Sequence, residues 1–301
     1  MDIDVLGALD VRENGVSVAP TAPKPRQVLA LLALHADRVV PAASLIEELW
    51  SDRPPRSART TLQTYVLQLR ELIAAALAHG TGQRSDGQRS DGQRLDAASP
   101  ERRTAKEVLL TLPGGYLLSS GGGTSDVQEF ERLAGLGYRA MDAGDFAGAS
   151  RTLAAALDLW TGSAFADVQT GVQLTMEAKR LDESRLCALD QRIEADLRLG
   201  RHREVLAELT VLTSRYPAHE NLHAQFMIAL HRSGRRGEAL DAYLQLRTTL
   251  GRDRGLEPSP RLRRLQHSIL MAAPETAPGP TAPARAARAA HAGPGPLAPT
   301  H

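Results

Sequence analysis

At 301 residues the chain has room for about two domains, and its 42% of apolar residues is enough to build real cores. Aromatic residues make up only 4%, so Leu, Ala and Val must fill those cores, a composition that suits helices better than sheets. A net charge of +1 says nothing in bulk about nucleic acid, one cysteine excludes an internal disulfide, and no apolar run approaches the roughly 18 residues of a membrane span. The acidic start Met1-Asp2-Ile3-Asp4 is unlike a signal peptide, and the reading is a cytoplasmic protein that does not enter a membrane.

In chain order, residues 3–18 read as a hairpin. Ile3, Val5 and Leu6 open it, Asn14-Gly15 turns it, and Val16 and Val18 return. Three helices follow. The first spans 24–36, with Val28, Leu31, Leu32 and His35 on one stripe. The second spans 42–50, with Leu45, Ile46 and Leu49 inward. The third runs from Ser57, its expected N-cap, to Leu77. Pro54-Pro55 separates the last two. The third helix carries Ala58, Leu62, Tyr65/Val66, Leu69 and Leu72/Ile73 on its apolar side.

Residues 79–106 are polar and repetitive, with Gly-Gln-Arg-Ser-Asp at 82–86 and 87–91 and Gly-Gln-Arg-Leu-Asp at 92–96. Such a stretch buries too little to fold, and it is expected to be a disordered loop expansion. Val108, Leu110 and Leu112 then alternate as a strand, Pro113-Gly114-Gly115 turns, and Tyr116-Leu117-Leu118 returns. From Asp126 to Met271 the pattern is helical, with helices expected at 126–143, 145–160, 173–199, 201–215, 218–233, 236–250 and 259–270. Gly144, Gly200 and Gly234 occupy similar turn settings. Gly200 and Gly234 are one tetratricopeptide period apart, although Gly144 is not in step. The final segment, 273–301, is rich in Ala, Pro and Gly and reads as a disordered tail.

Hairpin, three helices, hairpin is the order of a winged helix. The expected fold is therefore mainly α: a winged helix-turn-helix with small β-hairpins over 1–120, then a tetratricopeptide-like helical repeat domain over 126–272. Burial of the third helix's apolar stripe leaves Arg56, Ser57, Arg59, Thr60, Gln63, Thr64 and Gln68 outward. A single helix fits the DNA major groove, where Arg pairs with guanine, Gln with adenine, and Thr with bases or phosphates. Arg59, Gln63 and Thr64 are assigned to bases, with Arg56, Ser57 and Thr60 on phosphates. The second hairpin is the wing, contacting DNA through Thr111, Gly114, Gly115 and Tyr116.

The run from Lys24 to His35, followed by Ala36-Asp37-Arg38-Val39-Val40 and by Leu45-Ile46-Glu47-Glu48-Leu49-Trp50, resembles the SARP family (Streptomyces antibiotic regulatory proteins). Pro54 to Val66 is similar to that family's recognition helix, Pro113-Gly114-Gly115-Tyr116 to its wing, and Gly255 to Leu262 to the end of its bacterial transcriptional activator domain. The resemblance covers residues 3–270. It implies an OmpR-type winged helix joined to a tetratricopeptide-like domain. It also implies binding to promoter direct repeats as a dimer, recruitment of RNA polymerase, and control of secondary-metabolite (antibiotic) gene clusters. The 79–106 insertion is longer than the family's usual helix-to-wing loop.

No enzyme activity and no cofactor is expected. Gly-x-x-x-x-Gly-Lys-Ser/Thr does not occur, so ATP hydrolysis is not predicted. His219-Glu220-Asn221-Leu222-His223 matches the His-Glu-x-x-His of zinc proteases, but it follows Pro217 in a helix's first turn and lacks a downstream third ligand. The histidines are expected to be surface or capping residues. Cys187 reads as a small buried hydrophobe, Trp50 and Trp160 as seals of the two cores, and Asp145 as a cap. The competing function is a helical-repeat scaffold that binds only protein. The Arg/Thr/Gln face argues against it, because the centres of protein interfaces favour apolar and aromatic residues.

Overall fold

The computed structural model describes residues 1–82 and 103–272. The chain opens with β1 (Asp2–Asp4), β2 (Asp10–Glu13) and β3 (Val16–Ser17), an antiparallel sheet in that order. This differs from the single hairpin expected over 3–18. Asn14 (φ 50) and Gly15 (φ 78) do make the tight turn between β2 and β3, but β1 is a third strand, with Ile3 opposite Val11. Val5 and Leu6 leave the sheet and are buried elsewhere.

Next come α1 (Pro23–Leu34), β4 (Val39–Pro41), α2 (Ala42–Trp50) and α3 (Ala58–Gly82). A short turn α4 (Ala105–Val108) leads into β5 (Leu109–Leu112) and β6 (Gly115–Leu118). Helix α1 is buried almost all round, through Val28, Leu29, Ala30, Leu31, Leu32 and Ala33, because both neighbouring helices and the second domain pack on it. Along α3 the buried positions are Ala58, Leu62, Val66, Leu69, Ile73 and Ala76, a 3.6-residue stripe. Tyr65 is half-buried and Leu72 exposed, which decides between the paired positions of the sequence reading.

The wing is three-stranded, in the order β4-β6-β5. β4 was not expected; Val40 pairs with Tyr116 and Pro41 with Gly115. The expected disorder over 79–106 is corrected at both edges. Helix α3 continues to Gly82, and Thr104 starts α4 with a reciprocal capping box to Glu107. Residues 83–102 and the predicted tail 273–301 lie outside the described residues.

The second half comprises α5 (Asp126–Asp142), α6 (Phe146–Leu157), α7 (Val172–Arg198), α8 (Leu206–Arg215), α9 (Glu220–Arg232), α10 (Arg236–Arg254) and α11 (Pro260–Met271). The recurring glycines have a common cause. Gly144, Gly200 and Gly234 have φ of 76°, 82° and 81°. In each case the glycine N–H and the next N–H bond back into the last helical turn, as in Asp145 N to Ala140 O, Arg201 N to Asp196 O and Arg235 N to Leu230 O. This is a Schellman stop, which needs the left-handed backbone that glycine adopts without strain. Helix α8 starts at Leu206 rather than 201: residues 202–205 form turns, and the Arg201 guanidinium bonds to Asp196 and Ser150. The Gly255–Leu262 run joins two helices: Gly255 (φ 65) closes α10, and the Ser259 hydroxyl caps α11.

One core spans both halves, from Ile3, Leu31 and Leu69 to Phe130, Leu153 and Trp160. Polar clasps reinforce it. Thr161 N donates to Leu6 O (3.0 Å) and Phe165 N to Val5 O (3.0 Å). The Asp126 carboxylate accepts from Val5 N and Leu6 N at 2.6 Å each. Arg26 pairs with Asp167. Glu48, only 2% exposed, accepts from Gly171 N (2.5 Å), Gln173 N (2.8 Å) and Leu174 N (3.1 Å) at the start of α7. A helix-turn-helix side chain therefore caps a helix of the other domain.

Candidate nucleic-acid interface

The interface begins at the turn between α2 and α3. Ser51 takes a positive φ (53°), and Pro54-Pro55 sets the chain up for α3. Ser57 directly precedes the helix, and its carbonyl accepts from Thr61 N at 2.9 Å. Arg56, Ser57, Arg59, Thr60, Gln63, Thr64 and Gln68 are all exposed. Arg53, Arg56 and Arg59 have no carboxylate partner among the described residues. Nearby Glu48 is turned into the interior, so it does not cancel this positive edge. Arg59 borders a shallow hollow with Ala43, Ser44 and Glu47 of α2. Thr64 is different from its neighbours: its hydroxyl donates to Thr60 O at 3.1 Å, so its proton is already committed within the helix.

The wing is held against α3 by Arg70, which the sequence places with Arg53, Arg56 and Arg59 in a short basic stretch that reads as a contact face or a solvated helix face, not as a tie to the wing. Arg70 donates to Leu109 O from Nε (3.0 Å) and Nη2 (2.7 Å), and to the Thr111 hydroxyl (2.8 Å). Spacing alone does not reveal this, since Arg70 and Leu109 are 39 positions apart. Thr111 and Gly114 are exposed on the hairpin. Gly115 and Tyr116 are not, and their assignment as DNA contacts is corrected. Tyr116 is 7% exposed and packs in the core opposite Val40. A Cβ on Gly115 would lie 2.3 Å from Val40 O, so the glycine serves close strand pairing.

The remaining candidates resolve into structural parts. His219 Nδ1 accepts from Leu222 N at 3.3 Å, capping α9. Glu220 accepts from Ser259 N at 2.9 Å, fixing the approach to α11. His223 is buried rather than on the surface, and burial pulls its imidazole pKa down. Among the described residues no three His, Cys, Asp or Glu side chains gather as a metal site. Cys187 is exposed, not buried, because the buried positions of α7 fall at Leu181, Leu186, Ala188 and Ile193. Partial desolvation, with Glu183 and Asp190 nearby, raises its thiol pKa, the opposite of what a nucleophile needs. Trp160 meets Phe130 edge-on at 5.5 Å and carries Arg185 over its ring. The Asp145 carboxylate caps α6 through Gly148 N.

Comparison with known proteins fits this geometry. Residues 17–81 match the family described as transcriptional regulatory protein, C terminal, and residues 125–270 match the bacterial transcriptional activator domain. The regulatory protein DnrI of Streptomyces peucetius is 50% identical over 287 residues, covering 95% of this chain and 98% of DnrI. The chain belongs to the SARP family. It is a DNA-binding transcriptional activator of that type, built on an OmpR-type winged helix, and its family is one of regulators rather than enzymes. AfsR of Streptomyces coelicolor is 34% identical over 91% of this chain, which spans 24% of AfsR. A solved structure titled Mycobacterium tuberculosis EmbR in complex with low affinity phosphopeptide superposes with a TM-score of 0.75 at 34% identity, over 89% of this SARP chain and 64% of the other. No helix among the described residues of this activator is long and apolar enough to cross a membrane.

Proposed function

We propose that this activator reads a promoter direct repeat by inserting the first three turns of α3 into the major groove. In this reading Arg59 and Gln63 meet bases, and Arg56, Ser57, Thr60 and Gln68 position the helix on phosphates and groove edges. Thr111 and Gly114 carry the wing's share of the contact. The observation that carries it is the row of exposed Arg, Thr and Gln side chains on a helix whose opposite side is buried, with its arginines free of carboxylate partners among the described residues. The helical domain then dimerises on DNA and recruits RNA polymerase in the bacterial cytoplasm. Likeness to DnrI and AfsR supports a secondary-metabolite (antibiotic) gene cluster as the target.

The test is footprinting of the purified protein on promoter fragments from its genomic neighbourhood at two salt concentrations. A protected pair of direct repeats, weakening as salt rises and counterions are no longer released at a gain, is the expected result. Absence of protection on every fragment at low salt would overturn the reading and return the helical domain to a scaffold role.

A further inference from the structure

Thr60, Thr64 and Leu67 lie along the line of α3 opposite its buried stripe, at about 3.6 residues per turn. In the proposed docking Thr60, at the N-terminal end of this strip, stays beside the phosphates, while Thr64 and Leu67, further along, face the floor of the groove. Leu67 is 56% exposed, a large apolar side chain inside an otherwise polar face. It does not complete the core, which closes on Val66 and Leu69. Thr64 has its hydroxyl turned back to Thr60 O at 3.1 Å, which leaves its methyl as the free part of the side chain. Residues three apart on a helix are neighbours on its surface. The centre of the face therefore carries two adjacent apolar groups, flanked by Gln63 and Gln68.

The major groove offers one apolar feature, the 5-methyl group of thymine. Helix rise over three residues is about 4.5 Å, longer than the roughly 3.4 Å between successive bases along a strand but within the reach of two flexible side chains onto adjacent base pairs. We infer that the Thr64 methyl and the Leu67 side chain read thymine 5-methyl groups on neighbouring base pairs, making them specificity residues alongside the hydrogen-bonding Arg59 and Gln63. The inference rests on the reading that α3 enters the groove. It changes the role of Thr64 from hydrogen bonding to apolar contact.

The experiment uses the full chain to select its own site from a pool of random duplex DNA. Each thymine of that site is then replaced singly by uracil, which pairs in the same way but lacks the methyl, and Kd is measured by fluorescence anisotropy at fixed salt. At one or two thymines the replacement should weaken binding by about fourfold, the worth of one buried carbon. Leu67→Ala should bind thymine and uracil duplexes alike at one position. Thr64→Ser, which keeps the bond to Thr60 O, should do so at the neighbouring position. Neither variant should alter the salt dependence, since neither group touches a phosphate. A selected site without thymine, uracil replacements that change nothing, or variants that keep the wild-type discrimination would overturn the inference while leaving groove binding intact. Failure of the pool to yield any sequence would sink both the inference and the groove reading.

Discussion

Removing the Glu48 carboxylate tests how the DNA-binding half is set relative to the helical half. In Glu48→Ala, the three N–H groups of Gly171, Gln173 and Leu174 lose their acceptor at the positive end of α7, and the Gln27 amide (2.9 Å) loses one of its two acceptors. A hydrogen bond to a charged group contributes about 1.5–3 kcal/mol, and a buried donor left unpaired costs about 1–3 kcal/mol. These are not additive, and Gly171 N and Gln173 N are only partly buried, so water can replace some of the loss. A net destabilisation of about 4 kcal/mol follows, within the roughly 3–5 kcal/mol typical of breaking a buried charged contact. For a protein of this size that lowers Tm by roughly 8–16 °C. The assay is guanidinium and thermal unfolding of the full chain, followed by tryptophan fluorescence and far-UV circular dichroism. The core shared by the two halves predicts coincident transitions in the wild type. In the variant the two probes should separate as the domains uncouple. A loss below about 1 kcal/mol with coincident transitions would refute the view that Glu48 clamps α7 to the helix-turn-helix.

Burial raises the Asp126 pKa to about 6 from its usual 3.8, against the lowering effect of its bonds from Leu6, Val5 and Val127. The native state thus holds a proton that the unfolded chain releases, so this group's contribution to stability falls as pH rises from about 4 to about 6. Asp126→Asn should gain relative to wild type between unfolding measurements at pH 4.5 and pH 7, and a constant difference would contradict the buried-carboxyl account. Arg70→Ala should cost about 1–2 kcal/mol of stability through its lost bonds to Leu109 and Thr111. It should also weaken DNA binding evenly across sequences by loosening the wing; a change of sequence preference would instead make Arg70 a base reader. Arg59→Ala should lose about 1–3 kcal/mol on the specific site and little on random DNA if it pairs with guanine. Equal losses on both would move Arg59 to the phosphate backbone.

Local patterns settled the helices. The 3.6-residue stripes of α2 and α3, the Asn14-Gly15 turn and the Schellman glycines each depend on a few consecutive residues, whose sterics and polarity are visible in one dimension. The outward row from Arg56 to Gln68 followed from the same periodicity, because whatever is not on the buried side of a helix faces out. Family likeness, carried by runs such as Pro54 to Val66, added the function that periodicity cannot supply.

Tertiary structure decided what depends on distant partners. β4 has only three residues, too few for an alternation signal, and it exists because β6 pairs with it. Tyr116 could read as a wing-tip contact until β4 and the core covered it. Cys187 sits among apolar neighbours in sequence, yet α7 packs on either side of it and leaves it outside. Glu48 looks like any helix acid, and only the arrival of the α7 N-terminus, more than a hundred residues later, gives its buried charge a partner. Hydrogen bonds and burial between segments far apart in the chain are set by where the whole fold brings them, and no window of sequence contains both ends of such a contact.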